Sequence, residues 1–429
     1  MSRYLGRIIW VLLICLSGCD LGSPAPEKPV VWVYSDLSDP RQQRDGGYPQ
    51  NDPDDIVSMA SLMLSANRYD IRQIVVGSTN RIGLEDPMPF VSEMLLNAYE
   101  HDQAALNESL GGFPETLPFI WSSITQQTSP IAFDSTASYL DLSELETVQA
   151  LVDLASNEQV FVLNWGPLTE SAMAVKHCLD TGNDAALRNM IFISHWTKSS
   201  LAQGSLETPF HVANCWDDVE ACRFLHNEAG RNPLVRFIEL GCVGQKGIVN
   251  GAAGFDQMET FGASRLGQIF ITAKYYHQKP DFSDAATHWL LASGVGPAWT
   301  DYPSDGSLSV QEEGQFVQHF LDASPWIMDD LLHRSEIAAR KKEPFSPEQL
   351  AHYFTYVYFN HFRNAYGMHL TQSSHVMISD SLGTVFFEGD FPKGDHALEL
   401  ETFSSGTYLV KVSGVDREFR LTVGDRPME

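Results

Sequence analysis

Positive charge is scarce in this chain. Only 28 Lys and Arg stand against 55 Asp and Glu, a formal net charge of −27 over 429 residues. So acidic a surface excludes nucleic acid as a partner, because gripping phosphates takes Lys and Arg. Long apolar runs are missing as well: Ile8 to Leu16 is too short for a comfortable membrane span. Beyond Cys15 and Cys19 there are four cysteines, Cys178, Cys215, Cys222 and Cys242, and none has CxxC metal spacing. Cys215 and Cys222 are close enough in sequence to pair if the chain is exported, and buried apolar packing serves equally well. After about residue 300 no second set of strands follows, which argues against a two-lobed solute-binding protein.

The first segment is not part of the fold. Arg3 and Arg7 precede the apolar run, and Leu16-Ser17-Gly18-Cys19 completes the layout of a secretory signal. A small-residue site ending in Cys resembles the bacterial lipobox. It implies removal of residues 1–18, lipidation of Cys19, and an exported bacterial lipoprotein anchored to a membrane in the periplasm or at the cell surface. The bland reading is an ordinary signal with a chance Cys. Residues 19–29, with Ser23, Pro24, Pro26 and Pro29, form a tether.

From Val30 to about Pro303, strand-like and helix-like runs alternate. Strands are expected at Val30–Tyr34, Ile71–Gly77, Gln159–Asn164, Met190–Ser194 and Leu234–Leu240. Helices are expected at Asp55–Ala66, Pro89–His101, Glu144–Ser156, Thr169–Leu179, Asp217–Asn227 and Asp284–Leu291. Such alternation predicts an α/β fold, a mostly parallel central sheet flanked by helices, over residues 30–370. Two further helices follow. One runs through Gln311–Leu321; the other starts at Ser346 as N-cap with Pro347 behind it, carries a run of aromatics, and stops near Gly367. From 371 to 429, short strands and Gly-rich turns predict a small antiparallel β-sandwich, an accessory module with no cluster of His, Cys or paired carboxylates.

Asn51-Asp52-Pro53-Asp54-Asp55 is the most informative stretch. Ile56, Met59, Ala60, Met63 and Leu64 follow at helical spacing, so the acids sit at a helix N-terminus. Asp36 closes the preceding strand, which gathers carboxylates at the edge where α/β sheets bind ligands. One Asp would serve as a cap. Four in one loop repel unless a cation sits among them, and hard divalent cations take several carboxylate oxygens from one loop. Three more segments join this set. Asn164-Trp165-Gly166-Pro167-Leu168-Thr169 breaks a strand and leaves the Trp165 carbonyl as a neutral oxygen ligand. Asn214-Cys215-Trp216-Asp217-Asp218 leads into a helix, and Ser283-Asp284 opens another.

In that order, these segments resemble the inosine–uridine-preferring nucleoside hydrolase superfamily. "SDLS…NDPDDIVSMASLMLSANRYDI" and "AYEHDQAALNESLGGFPETLPFIWSSI" are similar to its extracellular, cellulose-binding-protein type branch, while "NWGPLTESAMAV" and "NCWDDVEA" look like the hydrolase core. The resemblance covers about Val30 to Leu291. It implies one Ca²⁺ held by Asp36, Asp55, the Trp165 carbonyl and Asp284, with Asp36 also acting as base to an attacking water. It implies further that Asp54, Asn80 and Asn214 bind the sugar.

Three departures stand out. The acidic loop is stretched by about fifteen residues, which makes Asp39 and Asp52 rivals for the first acid. The acid usual two places before the ribose Asn is Val212. The His usual before the last Asp is Ser283, and His288, four residues past Asp284, is a candidate substitute as acid although a lone His there is more often packing. His195 and His211 are uncommitted. The expected function is Ca²⁺-dependent hydrolysis of N-ribosyl or related glycosidic bonds on a small sugar or nucleoside. The alternative is a cell-surface carbohydrate-binding lipoprotein with impaired turnover. Homo-oligomerisation is left open by the sequence.

Overall fold

Strand β1 (Val30–Tyr34) is buried on both sides: Val31 and Val33 pack into one core, Trp32 and Tyr34 into the other. Strands covered on both faces belong inside parallel sheets. The computed structural model describes residues 27–42, 53–81, 83–202, 213–292, 294–295, 298–360, 365–400 and 403–424. The signal segment, Cys19, most of the tether, Asp52, His211 and Val212 lie outside the described residues.

β2 (Asp70–Val76), β3 (Phe119–Trp121), β4 (Val160–Asn164), β5 (Met190–Ser194) and β6 (Arg236–Glu239) join β1 in a six-stranded sheet. Its order is β3-β2-β1-β4-β5-β6, with every neighbour parallel. The order reverses between β1 and β4, and in open α/β sheets the crevice beyond that switch point is where ligands bind. One core lies under helix α1 (Asp54–Leu64) and the helices Asn97–Leu110 and Val310–Ala338. The other lies under Glu146–Ala155, Thr169–Thr181 and Val219–Arg231.

Four expectations are corrected. The edge strand β3, three residues long, is an addition to the predicted set. The helix expected at Gln311–Leu321 runs from Val310 to Ala338, past Pro325. A proline inside a helix frees the carbonyl four residues before it. Here that carbonyl belongs to Leu321, and the backbone of Gly251 packs there so closely that a Cβ would stand 2.8 Å from it.

The aromatic segment is the third. Ser346 does cap a helix, accepting from Gln349 N at 3.2 Å with Pro347 behind it, but that helix ends at Phe354. Tyr356–Asn360 and Ala365–Leu370 are strands, β9 and β10 after the two-residue strands β7 (Tyr275–Tyr276) and β8 (Lys279–Pro280). Tyr356, Val357, Tyr358 and Phe359 are aromatic or β-branched, the types that favour a strand. Gly367 stops no helix; it pairs with Tyr358 across the ladder and lies under its ring, where a Cβ would be 2.4 Å from Cζ.

The fourth correction is the domain boundary. β9 and β10 pair with β13 (Gly394–Leu398), and this sheet packs on another of order β12-β11-β14-β15. Its members are β11 (Ser374–Asp380), β12 (Val385–Phe391), β14 (Gly406–Val412) and β15 (Glu418–Val423). The shared core begins at Tyr356, so residues 356–370, assigned above to the α/β domain, belong to the sandwich. The sandwich grips one loop of the α/β layer. His369 Nε2 is 2.7 Å from Thr272 O, and Tyr356 Oη donates to Ala273 O at 3.2 Å. Cys215 and Cys222 are bridged, with Cα atoms 5.3 Å apart, while Cys178 and Cys242 are buried thiols. Among the described residues no helix is long and apolar enough to cross a membrane.

Candidate active site

The crevice is built from strand ends. Beyond β1, Ser35 N still donates to Val75 O at 2.9 Å, and the chain then delivers Asp36 into a buried position. Beyond β4, Trp165 N extends the ladder to Tyr34 O at 2.8 Å. The next residue must be glycine: a Cβ on Gly166 would meet Asp36 Cβ at 2.8 Å and Cγ at 3.0 Å. The two turns at the switch point therefore touch, with Asp36 between them. The Trp165 indole donates to Thr287 Oγ1 at 2.7 Å, tying this turn to the segment that carries Asp284.

Helix α1 aims its first turn at the same place. Pro53 is its N-cap, and no side chain caps the helix; Asp54 and Asp55 occupy the first turn. The capping explanation of these acids thus fails for the described residues, and Asp55 is instead 1 % exposed. Burial first, then the charge of Asp36 and a hydrogen bond to it, then Asp284 and Asp54, hold the Asp55 carboxyl well above the usual carboxylate range. Two carboxyl groups joined by a hydrogen bond share a proton. The structure thus brings together Asp36, Asp54, Asp55 and Asp284, four acids drawn from two distant stretches of sequence.

Asp55 Oδ1 is buried with no hydrogen-bond partner among the described residues. An orphaned carboxylate oxygen among other carboxylates is chemically suited to a hard divalent cation. Against this, no group of three or more His, Cys, Asp or Glu side chains among the described residues is disposed to hold a metal ion. We weigh the donor chemistry above the spacing, because the spacing among these acids responds to the cation itself while the set of oxygens does not. A further cation is already present. Lys274 Nζ lies 3.6 Å from Asp54 Oδ1 and 3.4 Å from Asp281 Oδ2. Sequence reasoning missed Lys274 and Asp281, because the chain reaches the pocket through the β7–β8 hairpin, whose two-residue strands leave no periodic mark.

The remaining candidates separate. Ser283, in the place of the usual His, donates to Asp54 Oδ2 at 3.3 Å and accepts from Gln245 Nε2 at 3.2 Å. His288 points into the core: its Nε2 is 3.3 Å from Ser61 Oγ and its Nδ1 3.1 Å from Tyr69 Oη. Burial and the nearby Arg68 charge depress its pKa to about 3. This is the packing histidine that was the alternative to a substitute acid. Asp39 is held by Arg41, whose Nη2 is 2.6 Å from its Oδ2, so this rival to Asp36 already has its cation.

Asn214 spends an amide hydrogen on His195 O at 2.9 Å and keeps its side-chain carbonyl. Asp218, in the same motif, caps the next helix from Ala221 N at 3.0 Å, and Asp217 pairs with Arg81 at 2.5 Å. Those two acids are structural. Asn80 is half-buried on the loop after β2. Glu170, a buried carboxylate receiving hydroxyls from Ser78 at 2.5 Å and Ser122 at 2.9 Å, fixes the start of that loop. His195 follows β5, is 2 % exposed, and finds no hydrogen-bond partner for either ring nitrogen among the described residues.

Residues 45–211 match the family model described as "Cellulose-binding Sde182, nucleoside hydrolase-like domain". That span holds Asp54, Asp55, Asn80, Trp165 and His195, while Asp36, Asn214 and Asp284 lie beyond it. No curated protein matches the chain. Among solved structures, it is similar to a nucleoside hydrolase-related hypothetical protein from Saccharophagus degradans, described as associated with carbohydrate metabolism. The identity is 13 %, the TM-score 0.47, and the match covers 92 % of this chain and 98 % of that one. With the parallel sheet and the acidic switch-point crevice already in view, the stretch 45–211 is similar to the nucleoside hydrolase-like domain of the Sde182 type.

Proposed function

We propose that this chain is an exported, Cys19-anchored hydrolase of N-ribosyl or related glycosidic bonds that uses Ca²⁺. One observation carries the reading: the buried, hydrogen-bonded Asp36 and Asp55 carboxyls at the switch point, with the charges of Asp284 and Asp54 acting on Asp55. A Ca²⁺ held by Asp36, Asp55, Asp284 and the Trp165 carbonyl would supply the positive charge that lets these acids ionise together, and the acidity of bound water. The rest falls to the chain itself. Asp36, fixed between two turns, accepts the proton of the attacking water. Asp54 and the side-chain carbonyl of Asn214 accept from sugar hydroxyls and orient the ring, which develops oxocarbenium character as the bond breaks. The leaving group has no imidazole at position 283; the Ser283 hydroxyl directs its hydrogen bond to Asp54 instead.

A substrate that needs no acid should therefore react best. General acid help is worth about 10²–10⁴-fold, so p-nitrophenyl riboside should outpace inosine by about that factor. Asp36→Asn should abolish turnover of both. Equal rates on both substrates would refute the account of the leaving group. Sugar binding without any turnover would favour the second reading, a carbohydrate-binding lipoprotein. Its support is the Ser283 and Lys274 contacts that already occupy Asp54.

A further inference from the structure

Buried polar atoms nearly always find a hydrogen-bond partner, and one left without costs more than most bonds return. His195 leaves two. Its ring is buried at the carboxyl end of β5, in the same crevice edge as Trp165, and its backbone is pinned by Asn214 at 2.9 Å. Gly244 provides the seat: a Cβ there would stand 2.3 Å from the ring Cε1, 2.8 Å from Nε2 and 2.7 Å from Ser283 O. The ring thus lies alongside Ser283, the neighbour of Asp284. The next residue, Trp196, stacks on it at 5.5 Å while holding φ at 62°, a conformation bulky side chains rarely adopt.

We propose that His195 is a ligand-contacting residue of this pocket, hydrogen-bonding a hydroxyl of a bound sugar; this rests on the carbohydrate reading above. An imidazole carrying one proton offers one donor and one acceptor nitrogen. Beside the ring, Ser283 bonds to the Asp54 carboxylate and is followed by that of Asp284, and carboxylates accept. A ligand atom that satisfies His195 and a carboxylate together must bring its own proton, as a hydroxyl does and a carbonyl does not.

The test uses the full chain labelled with ¹⁵N-histidine. The ring resonances of His195 are assigned by their loss in His195→Gln. Ribose and cellobiose are titrated, with hypoxanthine as a base lacking sugar and calorimetry as the independent measure of binding. The expected result is a His195 ring shift that saturates with sugar and is absent with hypoxanthine. His195→Phe should weaken sugar binding about tenfold or more, and His195→Gln, which keeps a donor and an acceptor, should recover part of it. Sugar binding by calorimetry with the His195 nitrogens unmoved would overturn the inference and leave the carbohydrate reading standing. A shift with hypoxanthine alone would assign His195 to a base and refute the hydroxyl. If neither sugar binds the unmodified chain, the carbohydrate reading falls and His195 with it.

Discussion

Replacing Asp55 by Asn should make the protein less sensitive to pH and blind to calcium. Asp55 has a folded pKa raised above its ordinary value of 3.8, first by burial and then by Asp36, Asp284 and Asp54. A raised acid is favoured protonated in the native state. Its contribution is fully present below the unfolded pKa and is lost as pH rises toward the folded one. In that window one such group costs about 1.4 kcal/mol per pH unit. At about 1.1 °C per kcal/mol for a chain this long, the melting temperature should fall by about 1.5 °C per pH unit. Glu170, Asp102 and Asp218 are also raised by burial, so the informative quantity is the difference between wild type and variant. Scanning calorimetry in EDTA from pH 4 upward measures it. Asn keeps the shape and a hydrogen bond to Asp36 but cannot ionise, so its curve should be flatter and cross above the wild type. Added Ca²⁺ at about a hundred times its dissociation constant should restore about 2.7 kcal/mol to the wild type and nothing to Asp55→Asn. Equal slopes for the two proteins in EDTA would refute the buried acid pair. An unchanged wild type on adding Ca²⁺ would refute the cation site.

Three other outcomes follow from the same geometry. Lys274→Met removes the ammonium beside Asp54 and Asp281, so Ca²⁺ should bind about tenfold tighter by calorimetric titration, since a competing charge is gone. His288→Ala should cost about 2–4 kcal/mol in urea unfolding through cavity formation and lost hydrogen bonds, while kcat stays within about twofold; a hundredfold loss would make it an acid after all. Ending the chain at 372 leaves β9 and β10 without their core and should give aggregation in light scattering, whereas ending it at 355 removes the sandwich whole and should keep the α/β layer soluble.

Much of the sheet could be read from the chain because its strands are buried on both faces and so appear as unbroken apolar runs: Met190–Ser194 and Val30–Tyr34 end where their composition says they should. β3 escaped because three residues at an edge carry no such signature. Asp54, Asp55 and Asp36 were legible because like charges crowd at a strand end and a helix start. The state of each acid was not. That Asp39 is taken by Arg41, that Ser283 turns to Asp54, and that His288 faces Tyr69 depend on contacts across 2, 229 and 219 residues of sequence, and the longer two have no local pattern. The aromatic run after Pro347 was misleading because helix and strand both bury aromatics; only the ring of Tyr358 over Gly367 decides between them.

The loop from Thr272 to Asp281 has two masters. Its first two carbonyls are held by His369 and Tyr356 of the sandwich, and the very next residue, Lys274, leans on Asp54. Asp281 closes the loop by donating its backbone N–H to Lys274 O at 3.1 Å. With no residue between the grip at Ala273 and the charge at Lys274, the chain has little slack to absorb a displacement. A force that tilted the sandwich would therefore reach the ammonium among the acids through two adjacent backbone carbonyls.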